Sequence, residues 1–174
     1  MGPPIDPKDL QPLFYWAGLT LNACQQFEYG VKALMVAMAQ MGVVGFSVDE
    51  AVAIIEGERK TTLGNALRML KGRVHISSGW VDSMDAGLEA RNRFIHGFIP
   101  NAADRIADPA TRGSVVSEIK EIRRVVLDAD CAVSEMMETV LLDRGLDWKQ
   151  LTKQWSDEVQ AMNRPASDGS EDAR

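Results

Sequence analysis

Long stretches of this chain carry apolar residues three and four positions apart, and this periodicity restricts the possible folds more than any other feature of the sequence. Such spacing places apolar side chains along one side of an α-helix. No stretch alternates apolar and polar residues as a half-buried β-strand does, and no segment repeats at a fixed period. The sequence therefore predicts an all-α fold, a bundle of four principal helices with one or two short ones.

The principal helices are predicted over residues 9–40, 62–72, 80–99 and 114–144. Ser47 and Glu50 form a capping box in front of a short helix between the first two. Pro100 is expected to end the third principal helix, because the residue before a proline disfavours the helical conformation. Residues 101–113 are then predicted to be a loop, and residues 148–162 a last helix.

With 174 residues the chain is long enough for one domain with a buried core. We predict a helical domain over 8–163 and a polar, disordered tail over 164–174. No apolar run approaches the roughly 20 residues of a membrane span, and the N-terminal segment lacks the features of a signal peptide, so a cytoplasmic protein without membrane contact is expected. Cys24 and Cys131 fit buried free thiols, and neither a metal nor another cofactor is predicted.

Arg91 occupies an unusual position on the third principal helix. On a helical wheel it falls inside an arc of apolar residues: Trp80, Met84, Gly87, Leu88, Phe94, Ile95 and Phe98. A guanidinium buried without a partner is costly, so either an acid such as Glu28 or a wet cleft must meet it. Asn92 and His96, four residues apart, share one edge of the same arc. Arg93 is predicted to point to solvent.

The arrangement Arg91-Asn92-x-x-x-His96, followed by Gly97 and an aromatic residue, resembles the Arg-x4-His signature of the HEPN superfamily of small helical bundles. Two further segments resemble patterns found in that family: Phe27-Glu28-x-x-Val31-Lys32 on the first helix, and Thr62-Leu63-Gly64. The resemblance covers roughly residues 10–143.

This resemblance implies a metal-independent endoribonuclease, of a toxin or anti-phage type, that cuts tRNA or mRNA through attack of a ribose 2′-OH. His96 would act as general acid or base, and Arg91 would bind the scissile phosphate. Asn92 would orient His96 or bind the phosphate, and Glu28 would hold Arg91. The resemblance also implies a homodimer with the Arg/His motifs at its interface, and an antitoxin or nucleotidyltransferase as a further partner.

One position departs from the pattern of some HEPN toxins. They carry a tyrosine two residues after the histidine, and in certain systems a nucleotidyltransferase modifies it. Phe98 stands there in this chain and has no hydroxyl group. Control by modification at this position is therefore not expected.

A basic segment precedes the motif helix, although the whole chain has a net charge of −6. The residues predicted to bind RNA are Arg59, Lys60, Arg68, Lys71 and Arg73, together with Arg93 on the motif helix. No acidic residue lies between positions 59 and 75, so we expect these charges to be uncompensated. A local basic patch on an acidic protein is suited to a phosphate backbone.

Two other interpretations remain open from the sequence. In the first, the chain is a non-catalytic HEPN-like bundle that binds a protein partner or a nucleotide. In the second, it is a structural helical bundle in which Arg91 pairs with Glu28 and the motif is a coincidence. Cleavage of RNA, abolished by substitution of Arg91 and of His96, distinguishes the ribonuclease from both.

Overall fold

The computed structural model describes residues 6–43, 45–56, 61–147, 150 and 153, and these contain no β-strand, which confirms the all-α class. The chain divides into two compact units, Met1–Met137 and Glu138–Arg174. The predicted last helix, apart from positions 150 and 153, and the predicted tail lie outside the described residues. None of the helices described in the structure is both long enough and apolar enough to cross a membrane.

A short 3-10 turn over Pro7–Leu10 leads into the first helix. The helices are α1 (Gln11–Gln40), α2 (Val48–Ile55), α3 (Leu63–Arg73), α4 (Ser78–Arg93), α5 (Ile99–Asn101), α6 (Ala103–Ala107) and α7 (Pro109–Leu142). Between α4 and α5, Phe94–Phe98 forms a π-helical turn. The first three helices start and end within a few residues of the positions that the periodicity predicts. Helix α4 ends at Arg93, but the chain stays helical through the π turn and α5, so Pro100 does not end the helix as predicted.

Thr62 caps α3, whereas the predicted capping box of α2 lacks the hydrogen bond of its Ser47 side chain. The Thr62 hydroxyl accepts a hydrogen bond from the backbone N–H of Asn65 at 3.3 Å. Ser47 occupies the N-cap position of α2, but its side chain makes no capping hydrogen bond in the described structure. The Glu50 carboxylate instead accepts hydrogen bonds of 2.9 and 3.3 Å from the Arg73 guanidinium, which links α2 to α3.

The prediction of a loop over residues 101–113 is wrong. Helix α6 occupies its first half, and α7 begins at Pro109 rather than at Ser114. Proline is favoured at the first position of a helix, where its missing N–H would have no partner. Asp108, in an extended conformation, caps α7 by accepting a hydrogen bond from the backbone N–H of Ala110 at 2.9 Å. The Ser114 hydroxyl donates to the carbonyl of Thr111 within the helix and caps nothing.

The core of the first unit is formed by apolar residues of α1, α2, α3, α4 and α7. Phe27 of α1, Met84 of α4 and Val126 of α7 are completely buried. Gly87 lets α4 approach α7 and α1 closely, because a Cβ atom at this position would lie 2.2 Å from Cβ of Ala129 on α7 and 3.2 Å from the Phe27 ring on α1. This packing fixes the helix that carries the Arg/His motif.

The cysteines differ from the prediction at one position. Cys24 is buried, as expected, whereas Cys131 on α7 is exposed.

In the second unit, Gly145 adopts a positive φ of 74° shortly after the end of α7. The N–H of Leu146 bonds the carbonyl of Leu141 at 3.0 Å, the pattern by which glycine ends a helix.

Candidate active site

Arg91 projects from α4 towards α1, and its side chain is 20% exposed. Its Nη2 donates to Oε2 of Glu28 at 3.0 Å, and its Nη1 donates to Oδ1 of Asn92 at 3.0 Å. Its Nε is buried and has no hydrogen-bond acceptor among the described residues. A guanidinium has five N–H donors. These contacts use two and the buried Nε–H is a third, so one N–H on each terminal nitrogen remains for a ligand.

Glu28 is shared between two cations. One carboxylate oxygen accepts from Arg91, and the other accepts from Nζ of Lys32 at 3.0 Å, one turn further along α1. Burial raises the pKa of Glu28, but the hydrogen bond and charge of Lys32 and those of Arg91 lower it further, so the pKa lies below its ordinary value. The carboxylate is therefore ionised at neutral pH and holds both cations in place.

An open pocket of about 620 Å³ brings the predicted motif together. Arg91, Asn92 and His96 line it from the motif helix, Glu28 and Lys32 line it from α1, and the segment 61–64 closes it at the start of α3. Asn92 and His96 are exposed to solvent. The pocket thus presents a guanidinium, an ammonium, an amide and an imidazole to a ligand on one side of the protein.

The π turn changes the direction in which His96 points. In an α-helix, residues five apart such as Arg91 and His96 lie about 140° apart around the axis. A π-helix bonds residue i to residue i+5 and rotates less for each residue. Because Phe94–Phe98 is π-helical, the angle between Arg91 and His96 is smaller than in a regular helix, and both line the same pocket.

A second pocket of about 440 Å³ shares Glu28, Lys32 and Arg91 with the first. Leu21, Tyr29 and Ile95 give it an apolar rim, with exposed fractions of 43%, 64% and 38%. The helical wheel placed Ile95 in the apolar arc of its helix, and the structure leaves it partly exposed beside the motif. Burial raises the pKa of Cys24, at the base of this pocket, to about 11.

Of the predicted RNA-binding residues that the structure describes, none lines either of these pockets. Three of them are paired with carboxylates, although the sequence predicted uncompensated charges. Lys71 pairs with Asp85 at 2.5 Å, Arg73 with Glu50, and Arg93 with Glu118 at 3.1 Å. These carboxylates come from other helices, so the local sequence did not reveal them.

Arg68 is exposed and donates to the side chain of Asn65 at 2.9 Å. Arg59 and Lys60 lie outside the described residues. The role of all six basic residues in RNA binding stays a prediction.

Sequence reasoning placed Glu28 beside Arg91 but left Lys32 and the threonines at 61 and 62 out of the site. A usable signal was present for Lys32. Glu28 and Lys32 are the only charged residues in the thirty residues of α1, and a spacing of four places them on one face. The threonines carry no such signal, because their place in the pocket depends on how α3 packs.

Among the described residues, no group of three or more histidine, cysteine, aspartate or glutamate side chains is arranged to hold a metal ion. No family model matches the chain, and neither the curated proteins nor the solved structures contain a significant match.

Proposed function

We propose that this protein is a metal-independent endoribonuclease of HEPN type, a cytoplasmic toxin or anti-phage effector that cleaves tRNA or mRNA. One observation carries the proposal: Arg91, Asn92 and His96 line one open pocket, and Arg91 has two N–H donors left after binding Glu28 and Asn92. Two donors in a fixed plane match two oxygens of a phosphate. The Glu28 contact therefore orients the guanidinium without using all of its donors.

In the proposed reaction, a ribose 2′-oxygen attacks the adjacent phosphorus and the bond from phosphorus to the 5′-oxygen breaks. The imidazole of His96 takes the proton from the 2′-hydroxyl. Arg91 and Lys32 offset the negative charge that grows on the phosphate oxygens. A protonated histidine, supplied by a second copy of the motif, gives a proton to the leaving 5′-oxygen. The products are a 2′,3′-cyclic phosphate and a 5′-hydroxyl.

The proposal includes a homodimer with the two motifs at its interface. The apolar rim formed by Leu21, Tyr29 and Ile95 supports it, because exposed apolar side chains beside a charged site suit contact with another protein surface. Ile95→Lys is expected to produce a monomer in sedimentation equilibrium. Val48→Lys, at a similarly exposed apolar residue on α2, is the matched control and should leave the dimer intact. A wild-type monomer at micromolar concentration would contradict this part.

The central test is cleavage of total tRNA and of mRNA by the purified protein in EDTA. We expect cleavage by the wild type, and its loss in both Arg91→Ala and His96→Ala. Arg124→Ala is the control, because Arg124 is 60% exposed and pairs only with Glu121 and Asp128 of its own helix in the described structure. Cleavage that persists in His96→Ala, or that EDTA abolishes, would overturn the proposal.

A second candidate follows from the Arg91–Glu28 contact itself. Because Glu28 already satisfies one end of Arg91, the pair can serve to join α1 to α4 in a non-catalytic bundle that binds a nucleotide or a protein through the pocket. An antitoxin or a nucleotidyltransferase would then be a binding partner rather than a regulator of cleavage. Absence of cleavage over a broad RNA set, together with nucleotide binding that requires Arg91, would favour this candidate.

A further inference from the structure

The π turn of the motif helix coincides with the residues that carry the proposed chemistry. It covers Phe94–Phe98, with His96 at its centre, and α5 resumes at Ile99 with a proline at its second position. π turns inside longer helices are rare and occur often at functional sites. The feature therefore needs a physical cause in this sequence.

Pro100 lies four residues after His96. In a continuous α-helix, the N–H of residue 100 would donate to the carbonyl of residue 96. Proline has no N–H, and its ring collides with the carbonyl four residues earlier. The carbonyl affected is that of His96, so the α-helical pattern cannot pass through this residue without distortion.

The surrounding packing explains why the helix widens here rather than ending. Phe94 and Phe98 are both buried, and Ala102 beyond the proline is 1% exposed. The Phe94 and Phe98 rings lie 6.2 Å apart. Burial on both sides of Pro100 keeps the chain helical, and the π turn accommodates the proline between these anchors.

We propose that Pro100 is a positioning residue: by forcing the turn around His96 into the π form, it brings the imidazole round to the side of Arg91 and into the shared pocket. The part of this inference that concerns catalysis rests on the proposed ribonuclease function. The geometric part does not, since it concerns the backbone of 94–98 and the direction of one side chain.

Two variants test the inference. Pro100→Ala restores the missing N–H and removes the ring, and we expect residues 94–98 to become α-helical. Pro100→Ser makes the same backbone change with a polar residue at this exposed position, and we expect the same result. Pro109→Ala is the control, because Pro109 starts α7 and lies outside the motif.

The measurements separate geometry from activity. Crystal structures of both variants are expected to show α-helical hydrogen bonds through 94–98 and His96 turned away from Arg91. In RNA cleavage, kcat is expected to fall about 10²-fold, the cost of a misplaced reacting group, with KM within about twofold. Circular dichroism should show no loss of helix. The control should match the wild type in kcat.

The outcomes distinguish this inference from the proposed function. Wild-type cleavage with an unchanged kcat in Pro100→Ala would overturn the inference and leave the ribonuclease intact. A π turn that persists in Pro100→Ala would also overturn it. If the wild type cleaves no RNA but both variants become α-helical and turn His96 out of the pocket, the geometric inference is supported and the proposed function falls. If Pro100→Ala does not fold, Pro100→Ser decides by the same criteria.

Discussion

Two ion clusters on opposite sides of the motif helix have the same charges and different surroundings. On one side, Glu28 accepts from Arg91 and Lys32. On the other, Glu118 of α7 accepts from Arg93 and Arg105, the latter at 2.5 Å. Each cluster consists of one carboxylate between two cations. The number of ion pairs therefore does not indicate which one is a functional site.

The clusters differ in burial and in their neighbours. The side chains of Arg91 and Lys32 are 20% and 21% exposed, whereas those of Arg93 and Arg105 are 58% and 41% exposed. A buried cation interacts more strongly with an anion than one screened by water. The cluster at Glu28 also opens on a pocket that contains an amide and an imidazole, and the pocket beside Glu118 is lined by no histidine.

The largest expected difference between the two clusters is in their effect on kcat. Arg91→Lys keeps the positive charge and removes the planar pair of donors, so we expect kcat for RNA cleavage to fall about 10²-fold. Arg105→Lys makes the same chemical change in the other cluster and should leave kcat within about twofold. Initial rates at saturating RNA give kcat, and circular dichroism checks that each variant is folded. Equal losses in the two variants would remove the distinction between the clusters.

Periodicity predicted the helices that carry Glu28, Arg91 and Glu118, but not α6, which carries Arg105. The position of Arg91 inside an apolar arc predicted its contact with Glu28. Neither the π turn nor the distant carboxylates could be obtained in that way. Residue spacing assumes a regular helix, so it misses the effect of Pro100, which was interpreted as a helix end. Glu118 lies 25 residues from Arg93, and such pairs depend on how helices pack.

The contrast between the clusters extends to stability. Glu28→Gln removes the charge that faces a largely buried guanidinium, and we expect the free energy of unfolding to fall by about 2 kcal/mol. Glu118→Gln removes a charge between two exposed arginines and should cost less than about 1 kcal/mol. Urea unfolding at neutral pH measures both. A larger loss in Glu118→Gln would reverse the assignment of which pair is structurally important.

The smallest expected effect is on the pH dependence of stability. The pKa of Glu28 lies below its ordinary value, since Lys32 and Arg91 outweigh the effect of burial. A carboxyl group with a lowered pKa stabilises the folded state above its unfolded pKa, about 4.3 for glutamate. That contribution is lost as the pH falls through the pKa of the group in the folded state.

Acidification from pH 7 to about pH 3 should therefore destabilise the wild type more than Glu28→Gln. The hydrogen bonds and charges of Arg105 and Arg93 likewise lower the pKa of Glu118. Because solvent screens this more exposed cluster, Glu118→Gln should flatten the profile of unfolding free energy against pH less than Glu28→Gln does. Urea unfolding at several pH values makes the comparison. If Glu118→Gln flattens the profile more, the cluster at Glu28 is not the more strongly coupled of the two, and the electrostatic argument for its role in holding Arg91 fails.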